Sequence, residues 1–365
     1  MVHPDGSHSG SSIRNILIIG DTDVSRAILH VLRQLDPTRQ LALLTSPTNV
    51  PSPATAALTR GHATTTDFSA ASLRAAFAAQ DLVISTVGGN DYGLQTRIVN
   101  AAVAAGVPRF VPAEFGQDSL SPGVRARLPP SAERARVVQY LRAMEKDDGD
   151  DDDDDNTAAT GEVNGKVNGE EEVEKDKYVQ IETTSGYHNP FSWVALAVGT
   201  ILDTKLVNGE LGFDIKWQSA TVHGSGTEEF AVSSLKRVGE LVARVVERWD
   251  SVRNEYLYAA GCITTADEIV KCLQKSTGKE WSVGLVETEE CVKEAEKRLA
   301  RGYPDAGMLL MERSVLYDRS LEAVDSFKMK SANEILGLQQ EKVEEIVKSA
   351  VHDFEHHGKA ECGCA

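Results

Sequence analysis

The sequence predicts an α/β protein, with a Rossmann-type doubly wound parallel sheet and a smaller α+β C-terminal substrate lobe. Short apolar runs alternate with helical patterns through the first 112 residues, which is typical of βαβ units. The first run ends in a glycine that directly precedes a helix, as in dinucleotide-binding folds. The second half mixes helical and strand patterns, as a substrate-binding lobe would.

The first half is predicted to alternate strands with helices. Residues 15–20 read as a strand buried on both faces, because consecutive apolar residues end in Gly20. Ser69 is the expected N-cap of a later helix. The other elements predicted here are helices at 25–33, 94–105 and 134–145 and strands at 41–44, 81–87 and 109–112. Ligands should bind beyond the carboxyl ends of these strands.

The chain is predicted to divide into five segments. They are a disordered N-terminus (1–13), the Rossmann domain (14–146), a disordered acidic insertion (147–177), the rest of the sheet with the lobe (178–355) and a flexible tail (356–365). After the insertion we expect strands at 178–182, 230–232 and 256–260, a loop at 183–193, and helices at 238–249, 264–276, 287–301 and within 331–354.

The acidic insertion holds fourteen acids and three lysines. Self-repulsion and the scarcity of apolar residues predict disorder there. The segment is either a partner-binding element or a tolerated surface insertion, since long loops cost little closure entropy. We favour the second interpretation and expect a short Gly/Ser linker to replace it without loss of melting temperature or cofactor affinity.

Composition excludes several classes of function. The 365 residues are 41% hydrophobic, enough for a sizeable core, and the formal net charge of −17 argues against a nucleic-acid or anionic-membrane partner. Five cysteines suggest reduced thiols and no metal site. No apolar run reaches the ~18 residues of a membrane span, and the N-terminus lacks a signal-peptide core. We expect a cytoplasmic monomer or homodimer that acts on a small molecule.

The loop after the first strand is a degenerate phosphate-binding loop. In a G-x-G-x-x-G motif the glycines allow a tight turn, close approach of the pyrophosphate and helix packing. Here Gly20 keeps the first position, while Thr22 and Ser25 occupy the others. Small residues leave room, and the helix N-terminus offers unpaired N–H groups. The alternative is a Rossmann fold that has lost nucleotide binding, since acids Asp21 and Asp23 lie in this loop.

The end of the second strand favours NADP over NAD. An NAD site usually places an acid there, on the ribose 2′-hydroxyl. In this sequence the strand is followed by Thr45 and Ser46, whose hydroxyls can accommodate a 2′-phosphate.

Residues 109–116 read Arg-Phe-Val-Pro-Ala-Glu-Phe-Gly, which resembles the R-F-x-P-S-E-F-G segment of the isoflavone reductase-like, NmrA-like family of atypical short-chain dehydrogenases. Weaker matches follow the family's order over about residues 14–250, apart from the insertion. The resemblance implies NADPH-dependent reduction of a small aromatic or heterocyclic metabolite, and a place in fungal secondary metabolism. Some members instead bind dinucleotides as regulators without turnover, and this is the alternative function.

The resemblance also implies which residues form the site. Those expected at the cofactor are Gly20, Thr22, Asp23, Val24 and Ser25 at the pyrophosphate, Thr45 and Ser46 at the adenosine ribose, Thr86, Val87 and Gly88 at the nicotinamide ribose, and Pro112, Glu114 and Phe115 around the nicotinamide. Those expected at the substrate are Gly186, Phe191 and Trp193.

The expected catalytic residues depart from the family pattern. Arg134 aligns with a lysine to which the family assigns acid–base work, and an arginine cannot serve as a base because it stays protonated. It can still stabilise developing negative charge, or it is an exposed helical residue. Proton donation would then fall to Tyr187 or His188, unless these are structural. His223 and Lys236 are interpreted as surface residues. The predicted reaction is direct hydride transfer to a C=C, C=O or C=N bond.

Overall fold

The computed structural model describes residues 13–146 and 191–356. Its strands are, in chain order, β1 (Asn15–Ile19), β2 (Gln40–Thr45), β3 (Ala63–Thr65), β4 (Leu82–Ser85), β5 (Arg109–Val111), β6 (Ser192–Ala197), β7 (Thr200–Ile201), β8 (Phe213–Asp214), β9 (Ser219–His223), β10 (Phe230–Ser233), β11 (Glu255–Tyr258), β12 (Cys262–Thr264) and β13 (Ser282–Val286).

The helices run between and after these strands. They are α1 (Asp23–Leu35), α2 (Pro53–Leu58), α3 (Ala70–Phe77), α4 (Tyr92–Ala104), α5 (Pro122–Arg127), α6 (Pro129–Lys146), α7 (Leu202–Val207), α8 (Leu235–Glu247), α9 (Trp249–Val252), α10 (Ala266–Thr277), α11 (Thr288–Ala300), α12 (Pro304–Leu316), α13 (Asp325–Met329) and α14 (Val343–His356). None of these described helices is long and apolar enough to cross a membrane.

Seven parallel strands form the main sheet, in the order β11-β6-β5-β4-β1-β2-β3. The chain moves outward from β1 to β3 on one side and from β4 to β11 on the other. The loops after β1 and β4 therefore diverge and leave a crevice at the carboxyl ends of the strands, which is the usual ligand position in such sheets. The predicted Rossmann-type fold is confirmed.

Helices cover both faces of this sheet. In β1, Ile16 and Ile18 pack into the core shared with α1 and α8, while Leu17 and Ile19 pack into the core shared with α3, α4 and α6. A strand that alternates between two cores has no polar face, which explains the continuous apolar run in its sequence. The phosphate-binding loop after β1 is thus anchored on both sides.

The C-terminal part of the chain forms a second lobe, which is built from smaller sheets and helices. Strands β12, β10 and β7 form one three-stranded sheet, and β13, β9 and β8 form another. Helix α12 packs against α11 and contacts α5. Arg127 of α5 donates to Asp318 Oδ2 at 2.7 Å and to Ser314 Oγ at 3.0 Å. These bonds hold the end of α12 over the Rossmann domain, next to α6.

Several predictions for the region around the insertion need correction or lie beyond the described residues. The predicted loop 183–193 is wrong at its end, because Trp193 belongs to β6 and pairs with Phe110 of β5. Its side chain is fully buried. The predicted disordered terminus 1–13 (apart from Ile13), the acidic insertion 147–177, the strand 178–182 and the tail 356–365 (apart from His356) lie outside the described residues.

Candidate functional site

A cavity of about 360 Å³ lies at the crevice of the main sheet and extends to the lobe. One end is bounded by the residues after β1, β4 and β5 and by Arg134 of α6. The other end is bounded by residues of α7, of the turn after it, and of α12. Its size falls within the usual range for small-molecule sites, about 300–1,000 Å³.

The loop from β1 to α1 is held by hydroxyl groups where the common motif has glycines. Thr22 is the N-cap of α1: its Oγ1 accepts from the Ser25 N–H at 3.1 Å, and its own N–H donates to Ser25 Oγ at 2.8 Å. Thr22 Oγ1 also donates to Thr86 Oγ1, which in turn donates to the Ile19 carbonyl at 2.8 Å. The ends of β1 and β4 and the start of α1 are therefore locked together.

Gly20 is the one glycine of the motif that the geometry requires. Its φ is +98°, a conformation that favours glycine. A Cβ atom there would lie 2.1 Å from Cγ1 of Val87. The tight turn between β1 and α1 and its close contact with the β4 loop both depend on this residue.

The two acids of this loop do not oppose an anionic ligand as strongly as the sequence suggests. The side chain of Arg26 forms ion pairs with both Asp21 and Asp23. Asp21 is turned toward α2, where it accepts from Thr55 Oγ1 at 3.1 Å and from the Ser52 N–H at 3.3 Å. The negative charge of Asp21 is thus neutralised away from the cavity.

The backbone at the start of α1 fits a dinucleotide pyrophosphate. Asp23 and Val24 line the cavity, and their N–H groups have no hydrogen-bond partner among the described residues. Free N–H groups at a helix N-terminus, aligned with the positive end of the helix dipole, bind phosphate groups. The residues present therefore fit the predicted nicotinamide dinucleotide.

The loop after β2 carries no acid. Residues 46–66 contain neither Asp nor Glu. The Thr45 hydroxyl is buried with no hydrogen-bond partner in the described structure, and Ser46 Oγ lies 3.0 Å from Thr48 Oγ1. The role of both hydroxyls at the adenosine ribose remains a prediction.

Arg134 lies in a slot between two glycines. A Cβ atom on Gly116 would be 2.9 Å from its Nη1, and one on Gly89 would be 3.4 Å from its Nε. The side chain lines the cavity and has no hydrogen bond or salt bridge to any described residue. Small residues in the β4 and β5 loops thus make room for a guanidinium whose donors remain available to a ligand.

Glu114 is a buried acid beside this slot. It is 3% exposed, its Oε1 has no partner within the described ranges, and its Oε2 accepts from the Tyr256 hydroxyl at 3.3 Å. Burial raises the pKa of Glu114 to about 7, although the charge of Arg134 lowers it. Glu114 does not line the cavity, so it supports the β5 loop from behind.

We expect Glu114 to make the stability of the fold depend on pH. Because its pKa is higher in the folded than in the unfolded chain, its contribution is fully present below pH 4.5 and is lost as the pH rises through about 7. The difference between the folded and unfolded pKa values of Glu114 corresponds to ~3 kcal/mol of folding free energy. The free energy of unfolding is measured with urea for Glu114→Gln and for the parent at pH 5 and at pH 8. The stability of Glu114→Gln relative to that of the parent should be higher at pH 8 than at pH 5. The exposed Glu334→Gln is the control, and equal pH dependence in parent and Glu114→Gln would refute this expectation.

The structure brings only part of the predicted site together. The predicted residues that line the cavity are Thr22, Asp23, Val24, Thr86, Phe115 and Arg134. The predicted cofactor residues that do not line it are Gly20, Ser25, Thr45, Ser46, Val87, Gly88, Pro112 and Glu114. Gly186, Tyr187 and His188 lie outside the described residues, so their roles stay predictions.

Two predicted substrate contacts and one predicted surface residue need correction. Trp193 is fully buried in β6, and Phe191 stacks on Phe110 with ring centroids 6.4 Å apart, so neither lines the cavity. His223 is 4% exposed, and burial, with Arg313 nearby, lowers its pKa to about 4. It is a neutral buried residue, and its ring lies 5.8 Å from the ring of Tyr317. Lys236 is exposed, as predicted.

Residues of the lobe end were not predicted from the sequence. They are Gln117, Thr200, Lys205, Glu210 and Arg313, together with apolar residues of α8 and α12. Gln117 directly follows the 109–116 segment. This position was the only sequence signal for any of these cavity residues. No group of three or more His, Cys, Asp or Glu side chains in the described part of the chain is arranged to hold a metal.

The fold and the crevice define a Rossmann-type protein, and comparisons with known proteins show what it is similar to. The NmrA-like family model matches residues 49–147. The oxidoreductase aprR of Aspergillus flavus is 28% identical over 275 residues, which cover 75% of this chain and 78% of the relative. These matches support the predicted resemblance to the NmrA-like family.

Solved structures show the same fold. An isoflavone reductase matches with a TM-score of 0.64 and 16% identity, over 93% of this chain and 99% of the other. The binary complex of leucoanthocyanidin reductase with NADPH, from Vitis vinifera, matches with a TM-score of 0.63 and 15% identity over the same shares. The predicted isoflavone reductase-like architecture is therefore confirmed.

Proposed function

We propose that this protein is an NADPH-dependent reductase of a small aromatic or heterocyclic metabolite. The coarser class, an NAD(P)H-dependent oxidoreductase, is supported by relatives that are named oxidoreductases and by an NADPH-dependent quinone oxidoreductase of the same fold. The observation that supports the proposal best is the cavity at the carboxyl ends of β1, β4 and β5, where free N–H groups of α1 and the guanidinium of Arg134 face one space. A regulator that only binds dinucleotide would not need the lobe end of this cavity.

The residues that would hold the cofactor follow from the geometry. The N–H groups of Asp23 and Val24 would bind the pyrophosphate, and Gly20 would permit its approach. Thr86 and Phe115 would lie along the nicotinamide half. When bound, the reduced nicotinamide supplies a hydride to a C=C, C=O or C=N bond of the substrate.

Arg134 would act by charge. Its guanidinium has no hydrogen-bond or salt-bridge partner among the described residues, so it can donate hydrogen bonds to the cofactor ribose or to an oxygen or nitrogen that gains negative charge. It cannot remove a proton, because arginine stays protonated at every relevant pH. A separate donor is required, and we propose Tyr187 or His188 for this role, as the sequence predicts.

The experiment that tests the proposed reaction uses NADPH deuterated at the transferable position. Purified protein is incubated with this cofactor and a panel of quinones, enones and cyclic imines. We expect oxidation of the cofactor with at least one class of acceptor, and deuterium at a carbon of the product. Tight binding of NADPH without oxidation by any acceptor would contradict the enzyme and support the regulator.

A further inference from the structure

We propose that the substrate carries a carboxylate group that binds Arg313 at the lobe end of the cavity. The inference rests on the proposed function, since it names the substrate class of that same cavity. It depends on which charged side chains of the lobe already have an ionic partner and on which one has none among the described residues.

Arg313 is held in a fixed position at the cavity wall. It lies on α12, one residue before Ser314, which receives a hydrogen bond from Arg127 of α5. Its Nε and Nη2 donate to the Glu210 carbonyl at 3.1 and 2.6 Å. A Cβ atom on Gly212 would lie 3.2 Å from its Nη1. Glycine at that position leaves the outer edge of the guanidinium open.

Arg313 has no carboxylate partner among residues 13–146 and 191–356. Its hydrogen bonds go to a single backbone carbonyl, which leaves N–H donors on Nη1 and Nη2 for another acceptor. Burial lowers its pKa, as expected for a cation that has lost water without gaining an anion. A partly buried guanidinium without a counter-ion is costly unless a ligand supplies one.

The neighbouring charged side chains of the lobe end are already paired with one another. Lys205 Nζ lies 2.9 Å from Glu210 Oε2 and 2.9 Å from Glu312 Oε2. These two acids are therefore occupied by lysine, not by Arg313. With Asp23 paired to Arg26, Arg134 and Arg313 are the cations lining the cavity that have no carboxylate partner among the described residues.

The surroundings favour a carboxylate on an apolar body. Leu211, Leu309 and Leu316 line the cavity beside Arg313. A single guanidinium matches a monoanionic carboxylate through two parallel hydrogen bonds. A phosphate dianion would require further donors, and among the described residues the other cation that lines the lobe end, Lys205, is already paired. The apolar wall would then receive the ring or chain to which the carboxylate is attached.

The test compares benzoate with its neutral isostere benzamide by isothermal titration calorimetry of the full chain with NADP⁺ bound. We expect benzoate to bind at least about tenfold more tightly than benzamide, since a charge-assisted bidentate bond is involved. Arg313→Met should remove this preference, and Arg313→Lys should retain part of it. Arg298→Met, which removes a cation of α11 paired with Glu294, should leave benzoate binding unchanged.

The failures of the two proposals are distinguishable. NADP⁺ affinity is measured in a separate titration, and a protein that does not bind NADP⁺ would contradict the proposed function. Benzoate is titrated into the same protein with and without NADP⁺. Equal binding of benzoate and benzamide, or an Arg313→Met variant that keeps the preference, would overturn the role of Arg313. Tighter binding of phenyl phosphate than of benzoate would overturn the assignment to a carboxylate.

Discussion

Arg134→Met is expected to weaken NADPH binding or turnover about ten- to a hundredfold. This loss corresponds to ~1.5–3 kcal/mol for a hydrogen bond to a charged group. The guanidinium lies in the slot between Gly89 and Gly116 and faces the cavity, so methionine would fill the slot while removing the charge. Steady-state kinetics and fluorescence titration with NADPH measure the effect.

Two variants separate the role of the charge from that of the helix. Arg134→Lys should retain much of the function, because lysine keeps the positive charge. Arg136→Met is the matched control: Arg136 lies on the same helix, but pairs with Glu133 and covers the Tyr92 ring outside the cavity. An Arg134→Met variant that behaves like the parent protein would show that Arg134 does not act on cofactor or substrate.

Ser25→Arg is expected to abolish NADPH binding. Ser25 is fully buried behind the first turn of α1. Its hydroxyl accepts from the Thr22 N–H at 2.8 Å and donates to the Thr22 carbonyl at 2.8 Å. An arginine side chain would have to leave this position through the space in which the helix N-terminus meets the pyrophosphate, and would break the capping box that orients the Asp23 and Val24 N–H groups.

Ser25→Ala is the control for this substitution. It removes the hydroxyl without adding volume, so NADPH binding should persist. The melting temperature should fall, because the loss of part of a helix cap costs about 0.5–2 kcal/mol of stability. Circular dichroism of Ser25→Arg establishes whether that variant is folded. A folded Ser25→Arg variant with the affinity of the parent would place the pyrophosphate elsewhere.

The sequence predicted the elements of the Rossmann domain because their cause is local. Strands β1 and β4 are buried on both faces and therefore appear as uninterrupted apolar runs. Ser69 caps α3 as predicted, with its Oγ accepting from the Ser72 N–H. Strand β6 was not predicted, because its start at Ser192 follows a Pro-Phe pair that is typical of loops, and residues 183–193 were interpreted as a loop. Helix α12 was not predicted at all.

The residues of the candidate site also divide into those that the sequence predicts and those that it does not. Residues near the phosphate loop could be predicted because one strand–turn–helix unit places Thr22, Asp23 and Val24 together. Lys205, Glu210 and Arg313 could not, because they meet only when α7 and α12 pack side by side in the lobe. Glycine pairs such as Gly89 and Gly116 also carry no sequence signal of the arginine they accommodate.

The central claim is that the degenerate loop after β1 binds NADPH in preference to NADH. Fluorescence titration of the purified full chain with each reduced cofactor tests it most directly. The account predicts saturable binding of NADPH with a lower Kd than that for NADH, because no acid follows β2 and the N–H groups of Asp23 and Val24 are free to bind phosphate. Equal or tighter binding of NADH would contradict the preference, and the absence of binding by both cofactors would contradict the reductase itself.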